Sequence, residues 1–248
     1  MGRPVLWHIA ISHYSEKVRW ALAYKQVEHE RRAPPPGSHI PVALALTRGR
    51  QLTFPILSVD GRQIADSTAI IAALEESHPE PPLYPADATE RRRALALEDH
   101  FDEELGPAVR QAVFNELGSD AESFKTVAAA GAPAPLRRFS GALGAYARAY
   151  TAVRWKASDS EGAARSRIKV HEAVDRVEAE LGGGEYLVGD RFTVADLTAA
   201  ALLYPIVLPP GGPIPRDGLP RALDLRSELG DRPGLEWVEE MYRRHRRR

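Results

Sequence analysis

The chain has 248 residues, no cysteine, and 33 basic against 34 acidic side chains, for a formal charge of −1. That balance gives no cationic field to draw in nucleic acid, and the missing thiols exclude disulfides, thiolate nucleophiles and cysteine metal sites. The 44% apolar share suffices for a real core; with no membrane-span-length apolar run and no signal-peptide h-region, a cytoplasmic protein of one large or two small domains is expected.

Val5 to Ile9, "VLWHI", reads as a strand. A helix follows, with Tyr14, Val18, Ala21 and Leu22 on one stripe and Glu16, Lys17 and Arg19 opposite, as a solvated face. Ser12 and Ser15 stand where strand hands over to helix, where backbone N–H groups lack partners and the helix dipole favours negative charge. Val27 to Arg32 predicts a short polar edge strand, and the prolines after it leave room for a short helix from Pro41 to Leu46. Pro55 to Val59 predicts a strand, Asp60-Gly61 a hairpin turn and Arg62 to Ala65 the returning strand. A helix capped by Asp66 or Ser67 then carries Ile70, Ala73, Leu74 and Ser77 on one stripe. The order is β-α-β-α-β-β-α.

Four prolines between His78 and Ala88 mark an inter-domain linker. Beyond it the pattern is helical. A long amphipathic segment runs from Ala88 to Leu117 with Pro107 as a kink, and Gly118 to Pro135 is weakly patterned and read as a loop or helix break. Helix resumes at Leu136, and a later one places Ile168, Val170, Val174, Val177 and Leu181 on a stripe. In "YLVGDRFTVADL", Thr193 caps a helix, Asp196 reaches back to the cap N–H, and Phe192 with Leu197 forms a hydrophobic staple; this makes Asp196 a structural rather than a catalytic acid. "VLPPGGPIPRDGLP" is a loop. The last helix ends in "RRHRRR", a frayed soluble end, with an anionic partner as the alternative.

Four stretches, "ISHYSEKVRWAL", "FPIL", "ADSTAI" and "YLVGDRFTVADL", stand in an order and spacing that resemble the cytosolic glutathione transferase superfamily over nearly the whole chain. The resemblance implies an α/β thioredoxin-like domain over residues 1–78, a linker over 79–88, and an all-α helical bundle over 89–248 that lines the electrophile site. It implies a homodimer using glutathione as thiol co-substrate, either to conjugate small apolar electrophiles or to isomerise them. A non-catalytic transferase-like binding protein and a transferase using another low-molecular-weight thiol are the alternatives.

Residue by residue, the resemblance places Ser12 at the reactive corner, where a hydroxyl donating to the glutathione sulfur favours thiolate over thiol; the attacking sulfur then belongs to glutathione. Ser15 caps or packs the helix. Phe54-Pro55 takes the place of the family's cis-proline, with Phe54 pairing to the cysteinyl backbone as an added strand would. Asp66 and Ser67 match an acidic-Ser pair, Asp66 facing the γ-glutamyl ammonium and Ser67 its carboxylate. Thr53, Gln51 and Arg50 are candidates for the glycyl end, and His39 a more distant one. Tyr14 is expected to pack between sheet and second domain, and His13 to be a solvated loop residue, with lining of the substrate mouth as the alternative. Arg19 is a candidate to pair across the domain boundary. Phe101, Val109, Phe114 and Tyr204 are candidates for the apolar wall. Without cysteine, no protein–glutathione mixed disulfide can form.

Overall fold

The computed structural model describes residues 2–35, 37–130, 132, 134–214 and 223–246. Strand β1 (Val5–Trp7) sits inside a four-stranded sheet of order β2-β1-β3-β4. It pairs parallel with β2 (Glu30–Arg32), which demands a crossover, and helix α1 (His13–Tyr24) supplies it. β1 pairs antiparallel with β3 (Ile56–Val59), with Leu6 opposite Leu57, and β3 turns back into β4 (Arg62–Ala65). Asp60 and Gly61, at φ 46° and 78°, make the hairpin turn. β2 is exposed along its length and wholly charged, which discourages pairing with another chain at that edge.

Helix α2 runs His39–Thr47, longer than the predicted Pro41–Leu46, because Pro41 falls in the first turn, where a missing N–H costs nothing. Helix α3 (Ser67–Ser77) closes the unit. Phe54-Pro55 is cis, as is Glu80-Pro81 in the proline-rich connection. That connection is fastened rather than loose. The buried Lys25 donates to the His78 and Pro81 carbonyls at 2.8 and 3.0 Å, and the Glu75 carboxylate accepts from Leu83 N and Tyr84 N at 2.9 and 3.2 Å.

Helix α4 (Ala88–His100) passes through a π-helical turn, Phe101–Leu105, directly into α5 (Gly106–Gly118). Gly118 to Pro135 is mostly helical, against expectation: α5 reaches Gly118, α6 spans Ala121–Ala130, and a 3₁₀ turn starts at Ala134. Asp120 Oδ1 caps α6 by accepting from Glu122 N and Ser123 N, and Phe124, Val127 and Ala128 give it a short buried stripe. Helices α7 (Ser140–Arg154) and α8 (Ser160–Leu181) follow. Val170, Val174 and Val177 of α8 are buried as expected, but Ile168 is 59% exposed, one residue off the stripe.

Helix α9 (Val194–Val207) is buried on all sides. Asp196 accepts from Thr193 N, Thr193 Oγ1 and Leu187 N, each at 2.8 Å, so the predicted cap also ties down the preceding loop. Burial pushes the Asp196 carboxyl up to about 6, with these hydrogen bonds working the other way. α10 (Asp224–Leu229) and α11 (Pro233–His245) complete the chain. Of the predicted loop after α9, residues 215–220 lie outside the described residues, as do residues 247–248 of the basic end.

The polar side of α1 is not solvated. Glu16, Lys17 and Arg19 are all buried, because α1 lies between the sheet, α3 and α9 and has no free face. Each charge is matched. Arg19 donates to Glu16 at 2.8 Å and to the Ala10 carbonyl at 2.9 Å, within its own neighbourhood rather than across the domain boundary. Lys17 makes the crossing instead, reaching Glu98 at 2.9 Å and Asp102 at 2.7 Å. Nor is the described part of the basic end frayed: Arg246 donates to Glu16 at 2.6 Å, and the His245 carbonyl accepts from Trp20 Nε1 at 3.0 Å.

Candidate active site

A cleft of about 680 Å³ opens where the start of α1, the loop before β3 and the start of α3 face α4, α5, α7 and α9. Ser12, Thr53, Phe54, Pro55, Asp66 and Ser67 all line it, together with Gln51 and Thr68. Arg50 and His39 do not. Arg50 turns back onto the Thr47 carbonyl at 3.1 Å, and His39 sits against Tyr150, with Nε2 3.2 Å from its hydroxyl.

Ser12 is the N-cap of α1: its Oγ accepts from Ser15 N at 3.2 Å. That bond uses a lone pair. The hydroxyl proton makes no hydrogen bond among the described residues and stays available to the cleft. Ser15 is fully buried, and its Oγ accepts from Ile9 N at 3.2 Å, holding the loop that leads into the corner.

Asp66 caps α3 in the same manner, its Oδ1 accepting from Thr68 N and Ala69 N at 2.9 and 3.1 Å. Its φ of 85° is a conformation that non-glycine residues seldom hold. Asp66 Oδ2 and the buried Ser67 hydroxyl take no bond among the described residues, so one acceptor and one donor remain beside the positive end of a helix. Thr53 is exposed at the rim.

Tyr14 packs between the two halves. Its hydroxyl donates to the Asp102 carbonyl in the π turn at 2.7 Å, and the ring edge lies so close to Gly106 that a Cβ there would stand 2.1 Å from the phenolic oxygen. The Asp102 side chain accepts from Lys17 and, at 2.6 Å, from Thr68 Oγ1. Glu98 is paired to Lys17 by distance, but neither of its oxygens has the alignment of a hydrogen bond, and burial raises its carboxyl above the usual range.

His13 is not a solvated loop residue. As first residue of α1 it is buried against Tyr14, ring centroids 4.6 Å apart, and it lines the cleft. Burial, helped by the Arg110 charge, pushes its imidazole down to about 3, so it is neutral; Nε2 is buried without a partner among the described residues.

Of the four candidates for the wall, Phe114 and Tyr204 line the cleft, while Phe101 and Val109 are turned into the core. Tyr204 donates to the Ile11 carbonyl and so fixes α9 to the loop beside Ser12.

The family model described as the glutathione S-transferase N-terminal domain matches residues 6–82, and that of the glutathione S-transferase C-terminal domain matches residues 160–235. The chain belongs to the cytosolic glutathione transferase superfamily. Among the similar proteins is a maleylacetoacetate isomerase of Dictyostelium discoideum, 26% identical over 216 residues, which cover 82% of this chain and 79% of that protein. A probable maleylacetoacetate isomerase of Caenorhabditis elegans is 27% identical over 202 residues, covering 82% and 78%. A glutathione S-transferase from Methylobacterium radiotolerans, solved in complex with glutathione sulfonate, superposes with a TM-score of 0.60 at 22% identity, covering 98% of this chain and 91% of that one. That last likeness is one of fold.

The fold thus brings Ser12, Thr53, Phe54, Pro55, Asp66, Ser67 and Gln51 to one cleft and leaves the other two candidates, Arg50 and His39, outside it. Missed were Arg110, Tyr150, Arg154 and Trp155, which line the cleft from α5 and the end of α7. On amphipathic helices an arginine reads as a solvated residue, and the Trp155 ring that Arg110 covers at 5.0 Å lies far along the chain. Asp102 also escaped notice, because the π turn that presents it has no sequence signature. No described helix is long and apolar enough to cross a membrane, and no metal-binding cluster occurs among the described residues.

Proposed function

We propose that the protein activates the glutathione thiol at Ser12 for attack on a small electrophile, by conjugation or by isomerisation. The observation that carries this reading is the divided role of Ser12: an acceptor to the helix, with its proton free toward the cleft. A hydroxyl donor and a helix N-terminus both favour a thiolate. The free polar atoms of Asp66 and Ser67 suit the γ-glutamyl ammonium and carboxylate, and Phe54 and Thr53 suit the remaining backbone. Residues 1–78 then hold the thiol and residues 89–248 wall the electrophile.

In conjugation the thiol proton passes to water, sulfur bonds the electrophilic carbon, and the leaving group departs with its electron pair. In isomerisation the sulfur adds to a double bond, the resulting single bond rotates, and the sulfur leaves with glutathione regenerated. The relatives' names favour the second mode. A cytoplasmic homodimer is the assembly this reading expects, checked by sedimentation at tens of micromolar protein.

The test follows thiolate absorbance against pH in the glutathione complex. Ser12→Ala should raise the bound thiol's pKa by about one unit, equivalent to ~1.4 kcal/mol, while leaving glutathione Kd nearly unchanged. Ser67→Ala should do the reverse, weakening binding without moving the titration. A parent protein that binds no glutathione refutes the reading, and a Ser12→Ala variant with unaltered titration and turnover reduces Ser12 to a helix cap.

A further inference from the structure

The far wall of the cleft holds two arginines that no carboxylate answers among the described residues. Arg110 of α5 and Arg154 at the end of α7 both line the cleft, and neither enters an ion pair among the described residues. The half-buried Arg110 differs in this from Arg19, Arg167, Arg232 and Arg246, buried or half-buried arginines that each meet at least one carboxylate; the half-buried Arg226 donates to the Gly230 carbonyl.

Arg110 is half-buried, with its guanidinium over the Trp155 ring at 5.0 Å. The same ring stacks on Phe114 at 5.1 Å and meets Tyr150 edge-on at 5.5 Å. A cation over an aromatic face gains less than withdrawing an unpaired charge from water costs. Burial and the neighbouring Arg154 charge accordingly hold Arg110 below the ordinary arginine range. Arg110 has a flat aromatic floor behind it and the cleft in front.

The acidic groups of the cleft lie elsewhere. Asp102 is committed to Lys17 and Thr68. Asp99 and Glu103 precede Arg110 by roughly 16 and 10 Å of helix rise, on the stretch of helix that Asp102 ties to Thr68 at the start of α3. The cleft is therefore polarised, with acid beside the start of α3 and base beside the aromatic floor.

We propose that the electrophile carries an anionic group, a carboxylate, bound by Arg110 and Arg154, with its unsaturated body on Trp155, Phe114 and Tyr150. A guanidinium accepts a carboxylate through two parallel N–H bonds, which fixes the anion's plane as well as its position. The reacting carbon is then set by the distance between carboxylate and sulfur, so this site selects substrates by geometry as well as charge. The proposal rests on the reading of the cleft as a transferase site, but its test does not need turnover.

The probes are 2,3-dichlorophenoxyacetate and its primary amide, which differ only in the charge, with binding measured calorimetrically on the full chain. The acid should bind about ten-fold or more tightly than the amide, and the preference should shrink in 0.5 M salt. Arg110→Met should abolish the preference and Arg110→Lys should restore part of it, since a point charge replaces the fork. Should Arg110→Met fail to fold, Arg154→Met, at an exposed position, should still reduce the preference. Equal affinity for acid and amide, or no binding of either, overturns the proposal. So does an Arg110→Met variant that loses glutathione binding while keeping the acid preference, because Arg110 would then serve the thiol. Acid preference in a protein that binds no glutathione leaves the anion site standing and removes the transferase reading; halonitroarene conjugation without acid preference does the opposite.

Discussion

Replacing Lys17 by Met tests the account of the domain boundary most severely. The Lys17 side chain is fully buried, as is that of Glu98, and that of Asp102 is 15% exposed. With the ammonium gone, two carboxylates remain about one helical turn apart with only the Thr68 hydroxyl between them. Breaking a buried pair from one side costs about 3–5 kcal/mol, because the remaining charge is uncompensated. At ~2–4 °C per kcal/mol for a chain of this size, Tm should fall by roughly 6–20 °C. The loss should also depend on pH. Burial already raises the Glu98 carboxyl, and without Lys17 it rises further, so the folded variant takes up a proton more readily than the unfolded chain. The variant should therefore regain stability as pH falls and lose it as pH rises through the raised value. Urea melts at pH 5.5 and 7.5 read this directly. Adding Glu98→Gln should recover part of the loss, with a coupling of about 0.5–3 kcal/mol. A single variant that loses under ~1 kcal/mol, with no pH dependence and no recovery in the double variant, would refute the argument that Lys17 neutralises buried acid.

Gly106→Ala should destabilise by about 1–3 kcal/mol despite the better helix propensity of alanine, since its Cβ meets Tyr14 Oη at 2.1 Å. Tyr14→Phe in the same background should relieve part of this, and a chemical melt of the pair checks it. Asp196 has a folded value of about 6 against 3.8 for a free carboxyl, so the folded state binds the extra proton between those values. Its contribution grows as pH falls from 7 to 4, by up to about 3 kcal/mol, and Asp196→Asn should lack that gain. Stability differences between parent and variant that stay flat over this range would show that the carboxylate is held ionised by its three donors.

Legibility from sequence followed how local the physics was. The cap of α9 was readable because Thr193 and Asp196 act on one another within a single turn. The β3–β4 hairpin was readable from Asp60-Gly61 for the same reason. Ser12, Phe54 and Ser67 came from the order of the four motifs, since nothing near them in the chain indicates that they share a cleft. The charges on α1 misled: a helix enclosed on every side carries its polar residues inward, and the acids that neutralise Lys17 lie 81 and 85 positions away. α6 was hidden because its buried stripe is short, Phe124, Val127 and Ala128 alone among its described apolar residues being deeply buried. Arg110 was unreadable because its meaning depends on which carboxylates fail to reach it.

The salt bridge from Arg246 to Glu16 joins groups 230 positions apart. On a ribosome adding ~5–20 residues per second, Glu16 is made roughly 10–50 s before its partner emerges. Throughout that interval the nascent sheet unit can form its strands locally, and Glu16 has Arg19 of its own helix as partner, with water in the place that Arg246 later takes. Covering this side of α1 thus waits on α11, and until that helix is made the Glu16 carboxylate holds one of its two arginines.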